Sequence, residues 1–392
     1  MRIAFFSEAC APQLNGVVTT QGKLIPYLRS RGHQVLFVLP RYKGNPQSLD
    51  VVEFKSLPFP LYPEMPVILP HWKFHMRKLE QVEAFQPDLV HLMTWGVLGF
   101  FGQKWARRKG IPVVASYETD IIRYLGYYGF GMFESQAWRY LRWLFNNCRR
   151  TYVPSPEIKK FLEGSGIRDV DVFERGVDCE QFHPAKRSEL VRKSFGVEPN
   201  GVLVLYIGRL SKEKNLKLLL NSFIRLSCQY PKTRLVVTGD GPIRGSLTRE
   251  FSHPSIRFTS WKRGEELCSL FASADIFVLP STTETLSLVA LESMASGVPV
   301  LAMNAGGVRD VVKHQETGLL ADSAEEFDAF FRGMIADNSL CSKLGTNGRR
   351  YAECKTWTRA FQNLENSYLE LLAGRHGAEP LGVATSQCAA LK

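Results

Sequence analysis

The amino-acid sequence predicts an α/β protein built from two doubly wound parallel sheets that face a central cleft. Three observations carry that expectation. The chain has 392 residues, more than one hydrophobic core comfortably serves, so two domains are expected. Short apolar runs alternate with helical patterns along its length, as parallel strands joined by crossover helices do. The alternation comes in two series, separated by a charged, strand-free segment at Pro184–Asn200.

The first series places strands at Ile3–Phe6, Val35–Leu39, Leu89–Leu92, Val113–Ser116, Thr151–Val153 and Val170–Phe173. Pro184–Asn200 suits a linker with a lead-in helix. The second series runs through Val202–Ile207, Leu235–Thr238, Ile256–Phe258, Ile276–Leu279 and Val298–Ala302. The expected division is a first domain over 1–185, a second over 186–354, a helical segment over 355–373 and a disordered tail over 374–392. That tail is small, polar and glycine-containing.

Composition narrows the classes. At 45% hydrophobic and 22% charged residues the chain reads as soluble and globular, and no apolar run reaches the 18 or so residues a membrane span requires. The opening Met1-Arg-Ile-Ala-Phe-Phe-Ser-Glu8 meets a carboxylate too early for a secretory signal and reads as a strand. Eight scattered cysteines without a C-x-x-C pair point to a reducing compartment, and to neither a disulfide framework nor a zinc site. The net charge of +11 favours anionic partners: nucleotide diphosphates, anionic lipid surfaces or nucleic acid.

In open α/β sheets ligands bind beyond the carboxyl ends of the strands, and the chemistry-bearing residues fall there. After the first strand, Gly16 in Pro12-Gln-Leu-Asn-Gly-Val-Val18 lets the backbone approach a phosphate and opens a helix whose N-terminus aims at the cleft. No G-x-G-x-x-G fingerprint accompanies it, which argues against a nicotinamide or flavin enzyme. After Val202–Ile207, Gly208-Arg209 leads to Lys214, a guanidinium and an ammonium five residues apart. Such a pair can neutralise charge growing on a departing diphosphate. Gly241, in Thr238-Gly-Asp-Gly-Pro242, is by itself a turn residue.

The most informative stretch is 280–299. Glu284 and Glu292 stand eight residues apart, with a helix expected after Thr285 and stopped by Gly297 and Pro299. The two carboxylates then lie roughly 12 Å apart along the axis at 1.5 Å per residue, the span of a nucleotide sugar. One would accept from sugar hydroxyls and the other from the ribose. Thr285 and Leu286 stand at the helix mouth, where free N–H groups and the dipole favour a diphosphate. Ala305-Gly306-Gly307 offers further N–H groups to a sugar or phosphate. Between Ile121 and Arg150 aromatic residues from Tyr124 to Phe145 interleave with arginines. That stretch suits a membrane interface, an acceptor-lipid groove, stacked bases or a helical hairpin packed into the first domain.

These motifs together resemble the retaining GT-B glycosyltransferases of family 4, from Met1 to about Leu372. The resemblance implies two Rossmann-like domains, with Lys355-Thr-Trp357 leading a helix that crosses back onto the first. It implies that Gly16, Gly208 and Gly241 line the nucleotide and that Arg209 and Lys214 grip the diphosphate. Glu284 would hold the donor sugar and Glu292 the ribose. Within the family, Pro12–Val17 and Ser116-Tyr-x-Thr119 are most similar to GDP-mannose-dependent mannosyltransferases, with sulfoquinovosyl-lipid synthases also close. One residue departs: where the family usually has histidine the chain has Glu118. An ionised glutamate only accepts hydrogen bonds and is repelled by a diphosphate. Glu118 stays among the candidate catalytic residues with three outcomes open: the sugar offers it a donor, its side chain turns away, or activity is impaired.

The resulting expectation is retaining transfer of a hexose, best matched by mannose from GDP-mannose, to the hydroxyl of a lipid, glycan or small-molecule acceptor. The alternatives are a UDP-sugar-dependent glycolipid synthase and a non-catalytic sugar-nucleotide binder. The nucleotide sugar is a donor substrate, so no cofactor is expected. No Asp-x-Asp occurs, so no metal is expected either, and nucleic acid is not an expected partner. The expected location is the cytoplasm, with peripheral attachment to an anionic inner membrane face.

Overall fold

The computed structural model describes residues 1–10, 13, 15–41, 50–59, 62–68 and 72–374. Pro12 of the first glycine segment, the side chains of Trp72, Lys73, Phe74 and Arg77, and the tail from 375 to 392 lie outside the described residues.

Each strand series closes into its own sheet. The first is seven-stranded and runs Asp50–Phe54, Gln34–Pro40, Arg2–Phe6, Leu89–Leu92, Val113–Ser116, Arg150–Val153, Val170–Val172. The second is six-stranded and runs Ile256–Thr259, Arg234–Thr238, Leu203–Ile207, Ile276–Leu279, Val300–Met303, Gly318–Ala321. Every pairing in both is parallel. The protein is thus α/β, with two Rossmann-like sheets.

The central strands are largely apolar because both faces are covered. Along Arg2–Phe6, Ala4 and Phe6 point into one core while Ile3 and Phe5 point into the other, the two-residue alternation of a pleated strand. The helix Trp357–Ala373 supplies the cover on the second face: its Phe361, Leu364 and Tyr368 pack beside Phe5, Val114 and Tyr152. The last helix therefore belongs physically to the first domain. The crossing is tight, since Val177 N–H donates to the Lys355 carbonyl at 2.8 Å and a Cβ on Gly176 would run into the backbone of Thr356 and Trp357.

Winding reverses in each sheet beside its first strand, between Arg2–Phe6 and Leu89–Leu92 and between Leu203–Ile207 and Ile276–Leu279. A reversal leaves a crevice at the carboxyl ends, where α/β sheets bind ligands. The loops that leave these strands carry Gly16, Arg209, Lys214 and Glu284.

Three features differ from the sequence expectation. Asp50–Phe54 forms the edge strand of the first sheet, its two acidic residues masking the apolar alternation. Ser56–Phe59 and Tyr62–Ile68 form an antiparallel hairpin, in a stretch whose prolines argue against strands. Gly318–Ala321, absent from the expected strands, is the sixth strand of the second sheet. Its opening glycine is required, because a Cβ would meet the Val300 carbonyl on the neighbouring strand. At the other end, Gly374 still caps the last helix, donating to the Glu370 carbonyl at 3.0 Å.

Candidate active site

The helix expected after Thr285 begins later, at Leu288, and runs to Ala295. Ser287 delays it: the residue sits at φ 98° and its hydroxyl caps the helix by accepting from Ala290 N–H at 3.3 Å. A non-glycine residue held at such a φ is strained, which is a frequent mark of a functional loop. Glu284 thus lies on an irregular loop before the helix, and Glu292 stands on the helix itself.

Glu284 meets Lys214. The ammonium donates to Glu284 Oε1 at 2.6 Å, with the two side chains 17% and 13% exposed. Burial works against the lysine's charge, yet Glu284, Tyr124 and Tyr206 outweigh it and raise its pKa. Lys214 is therefore a permanent cation. Arg209 is half-buried, and burial pulls its guanidinium down to about 10, with Glu213 opposing. The group stays protonated at neutral pH.

The glycines around this pair act as backing for the loops. Gly208 has no room for a Cβ, which would stand 2.7 Å from the Tyr206 hydroxyl, and that hydroxyl holds the Arg209 carbonyl at 3.0 Å. A Cβ on Gly241 would strike the Leu210 carbonyl, so this glycine presses against the Arg209 loop from behind. The paired glycines 306 and 307 do not offer both N–H groups to a ligand as expected. Gly307 N–H is spent on the Glu284 carbonyl at 2.8 Å, and a Cβ there would enter the Thr285 carbonyl. Close backbone packing explains the glycine at that position.

Glu292 is half-buried. Burial pushes its carboxyl up to about 8, with Lys23 of the first domain opposing. Lys23 also reaches Asp178 at 3.7 Å. Leu286 packs its side chain into the second-domain core, so any ligand contact it makes is through its backbone. Gly16 is the first residue of the helix Gly16–Ser30, capped by Asn15 accepting from Val18 N–H at 3.0 Å. A Cβ on Gly16 would lie 3.4 Å from Leu288 Cδ1. Two helix N-termini, one from each domain, converge here.

Glu118 turns away. Its carboxylate pairs with the buried guanidinium of Arg175, which itself lies 4.0 Å from the Phe173 ring centroid. Only the Glu118 backbone carbonyl faces the second domain, accepting from Thr285 Oγ1 at 2.9 Å. Among the outcomes left open by the sequence, the second is observed. The carboxylate's charge is taken up locally by that ion pair.

The aromatic stretch divides. Trp138, Tyr140, Trp143 and Phe145 pack into or against the first-domain core. Tyr127, Tyr128, Phe130, Met132 and Phe133 are exposed. Sequence reasoning did not single out Lys23 or Glu213, and it gave Arg123, Tyr128 and Arg175 no specific role. Only Arg175 carried a usable signal, its place in the turn Arg175–Asp178 after a strand. Among the described residues no group of His, Cys, Asp and Glu side chains could hold a metal ion, and no helix is long and apolar enough to cross a membrane.

Two parallel sheets, with the Lys214–Glu284 ion pair on loops at the carboxyl ends of the second, make an arrangement chemically suited to a nucleotide sugar. Comparison with known proteins agrees. Residues 14–181 match the model of Glycosyltransferase Family 4 and residues 188–351 that of Glycosyl transferases group 1. The chain is 34% identical over 384 residues to the GDP-mannose-dependent alpha-mannosyltransferase of Mycolicibacterium smegmatis, covering 96% of this chain and 99% of that one. It is 32% identical over 379 residues to sulfoquinovosyl transferase SQD2 of Arabidopsis thaliana, covering 93% and 72%. Its fold matches sucrose-phosphate synthase from Thermosynechococcus elongatus with a TM-score of 0.79 at 20% identity, over 95% of this chain and 99% of that one. The chain belongs to the family-4 glycosyltransferases of GT-B fold. It is a hexosyltransferase that takes its sugar from a nucleotide sugar.

Proposed function

We propose that the enzyme transfers mannose from GDP-mannose, with retention of configuration, to the hydroxyl of a lipid or glycolipid acceptor. The observation that carries the sugar-nucleotide transferase part of this reading is the Lys214–Glu284 pair, 2.6 Å apart where the two domains meet. A cation for the diphosphate and a carboxylate for the sugar stand together at one point of the cleft. Arg209 and Lys214 bind the diphosphate oxygens, and Gly208, Thr285, Leu286 and the N-termini opened by Gly16 and Leu288 line them with backbone. Gly241 supports that wall. Glu284 accepts from donor-sugar hydroxyls and Glu292 from the ribose. Glu118 contributes its backbone carbonyl and its pair with Arg175, with no proton-transfer role.

The bond from the anomeric carbon to the diphosphate oxygen breaks as the acceptor oxygen arrives on the same face. The leaving oxygen takes the acceptor's proton. Positive charge on Arg209 and Lys214 stabilises the diphosphate as it departs, which makes a divalent ion unnecessary. The mannosyl assignment is supported by the mycolicibacterial relative. The similarity to the sulfoquinovosyl transferase supports a second reading, a UDP-sugar-dependent glycolipid synthase. Exposed Phe130, Met132 and Phe133 and the +11 charge support a cytoplasmic enzyme held peripherally on an anionic membrane face.

Calorimetry with GDP and UDP, without metal, tests the donor. Tighter GDP binding is expected; tighter UDP binding transfers the assignment to the second reading, and binding of neither removes both. Arg209→Ala and Lys214→Ala should each lower turnover by about 100-fold or more in a folded protein. Near-normal turnover in both removes the diphosphate role.

A further inference from the structure

From contacts outside the ligand-facing residues we infer that Arg123, Tyr127 and Tyr128 of the first domain are positioning residues, a clasp that holds the Lys214 and Glu284 loops of the second domain in working geometry and keeps water from the donor. The inference rests on the roles proposed above for Lys214 and Glu284.

Three hydrogen bonds cross the cleft from the helix Ile121–Tyr127 and the residue after it. Arg123 Nη1 donates to the Thr282 carbonyl at 3.2 Å. The Tyr127 hydroxyl and Thr282 Oγ1 are 2.9 Å apart. The Tyr128 hydroxyl donates to Glu213 Oε2 at 3.0 Å. Thr282 lies two residues before Glu284, and Glu213 is the neighbour of Lys214. Each half of the Lys214–Glu284 pair is therefore pinned, one or two residues away, by a group from the opposite domain.

Both ends of the clasp are built in. On the first domain, fully buried Asp120 accepts from the Tyr117 hydroxyl at 3.0 Å and from Arg123 N–H at 3.2 Å, and also pairs with Arg123 Nε at 3.2 Å. On the second, Glu213 is 3% exposed and accepts from Ser211 Oγ at 2.5 Å. A carboxylate that deep is costly to leave short of donors, and one of its donors arrives only when the domains meet. Burial and Glu213 hold the Tyr128 phenol well above its usual range, so it donates as a neutral hydroxyl. Tyr127 and Tyr128 are 41% and 43% exposed, so the bonds can open without baring a core. The geometry of the diphosphate grip is thereby tied to domain closure, the condition under which water is excluded and donor hydrolysis suppressed.

Hydrogen exchange on the nucleotide-free full-length chain tests this, with Tyr128→Phe, which removes one hydroxyl, and Arg123→Met. Backbone amides of 212–215 should exchange at least about five-fold faster in Tyr128→Phe and those of 282–285 in Arg123→Met, the size of effect expected on losing one hydrogen bond. Amides of the strand Leu203–Ile207 should be unchanged. With GDP-mannose or UDP-glucose and no acceptor, Tyr128→Phe should also release free hexose faster than the parent. Unchanged exchange at both segments overturns the clasp. Faster exchange without faster hexose release overturns its water-excluding part. Should exchange rise as expected while Lys214→Ala turns over normally, the clasp stands as a closure contact and the diphosphate role of Lys214 is what fails.

Discussion

Glutamine in place of Glu292 keeps the side chain's volume and removes its charge, which makes the ribose contact measurable as protons. Burial holds the Glu292 carboxyl at about 8, so about nine-tenths of it is protonated at pH 7 by the ordinary titration relation. A ribose diol donates hydrogen bonds and so selects the ionised form. Binding of GDP at pH 7 should then release about 0.9 proton from this site. The affinity should rise by up to about ten-fold per pH unit below 8, and level off above it. The assay is calorimetry in two buffers of different ionisation enthalpy, on the parent and on Glu292→Gln. The difference between them cancels the nucleotide's own titration and should be close to about one proton. Equal proton counts would refute either the ribose contact or the burial-raised carboxyl. The sign for stability is also determined. A raised carboxyl pKa means the native state binds more protons than the unfolded one, so its penalty appears as pH rises through the ordinary carboxylate range and is complete above about 8. Glu292→Gln should accordingly stabilise the free enzyme at pH 7, by at most about 3 kcal/mol, and have no such effect near pH 4.

Three further outcomes are expected. Gly307→Ala drives a methyl into the Thr285 carbonyl and should lower the melting temperature and abolish sugar transfer together; a normal variant would deny that the Glu284–Thr285 backbone is braced there. Glu118→Ala leaves the Arg175 guanidinium, 3% exposed, without its carboxylate and should cost about 3–5 kcal/mol in chemical denaturation. Glu118→Met combined with Arg175→Met should cost less, and equal losses would mean the pair is not the reason. Glu365→Gln weakens the seat of the last helix, where Glu365 accepts from Tyr27 at 2.9 Å, lies 2.9 Å from His33 and pairs with Arg31 at 3.3 Å. Burial opposes ionisation there, but those partners outweigh it and depress the Glu365 pKa. Its contribution, about 1–3 kcal/mol, is present above the ordinary carboxylate range and lost as pH falls through the depressed value. The variant and the parent should converge in acid.

The sequence by itself determined what is local. Strands such as Ile276–Leu279 are legible because a run covered on both faces must be apolar along its whole length. Arg209, Lys214 and Glu284 are legible as candidates because each lies in a loop that leaves a strand, and of these the structure joins Lys214 to Glu284. The span from Glu284 to Glu292 does not follow helix geometry, since the helix begins only at Leu288. Edge elements were harder: Asp50–Phe54 and the proline-bearing hairpin lack the pattern that burial imposes. The tertiary structure alone decided the rest, since those contacts join residues far apart in the chain. The Glu118 charge is taken by Arg175, 57 residues later. Gly307 looked like an anion-binding glycine until its N–H was found on the Glu284 carbonyl. Tyr128 and Glu213 are 85 residues apart and meet only when the two domains close. A motif records which groups a loop carries, whereas the partner that consumes or directs each group is chosen by packing in three dimensions.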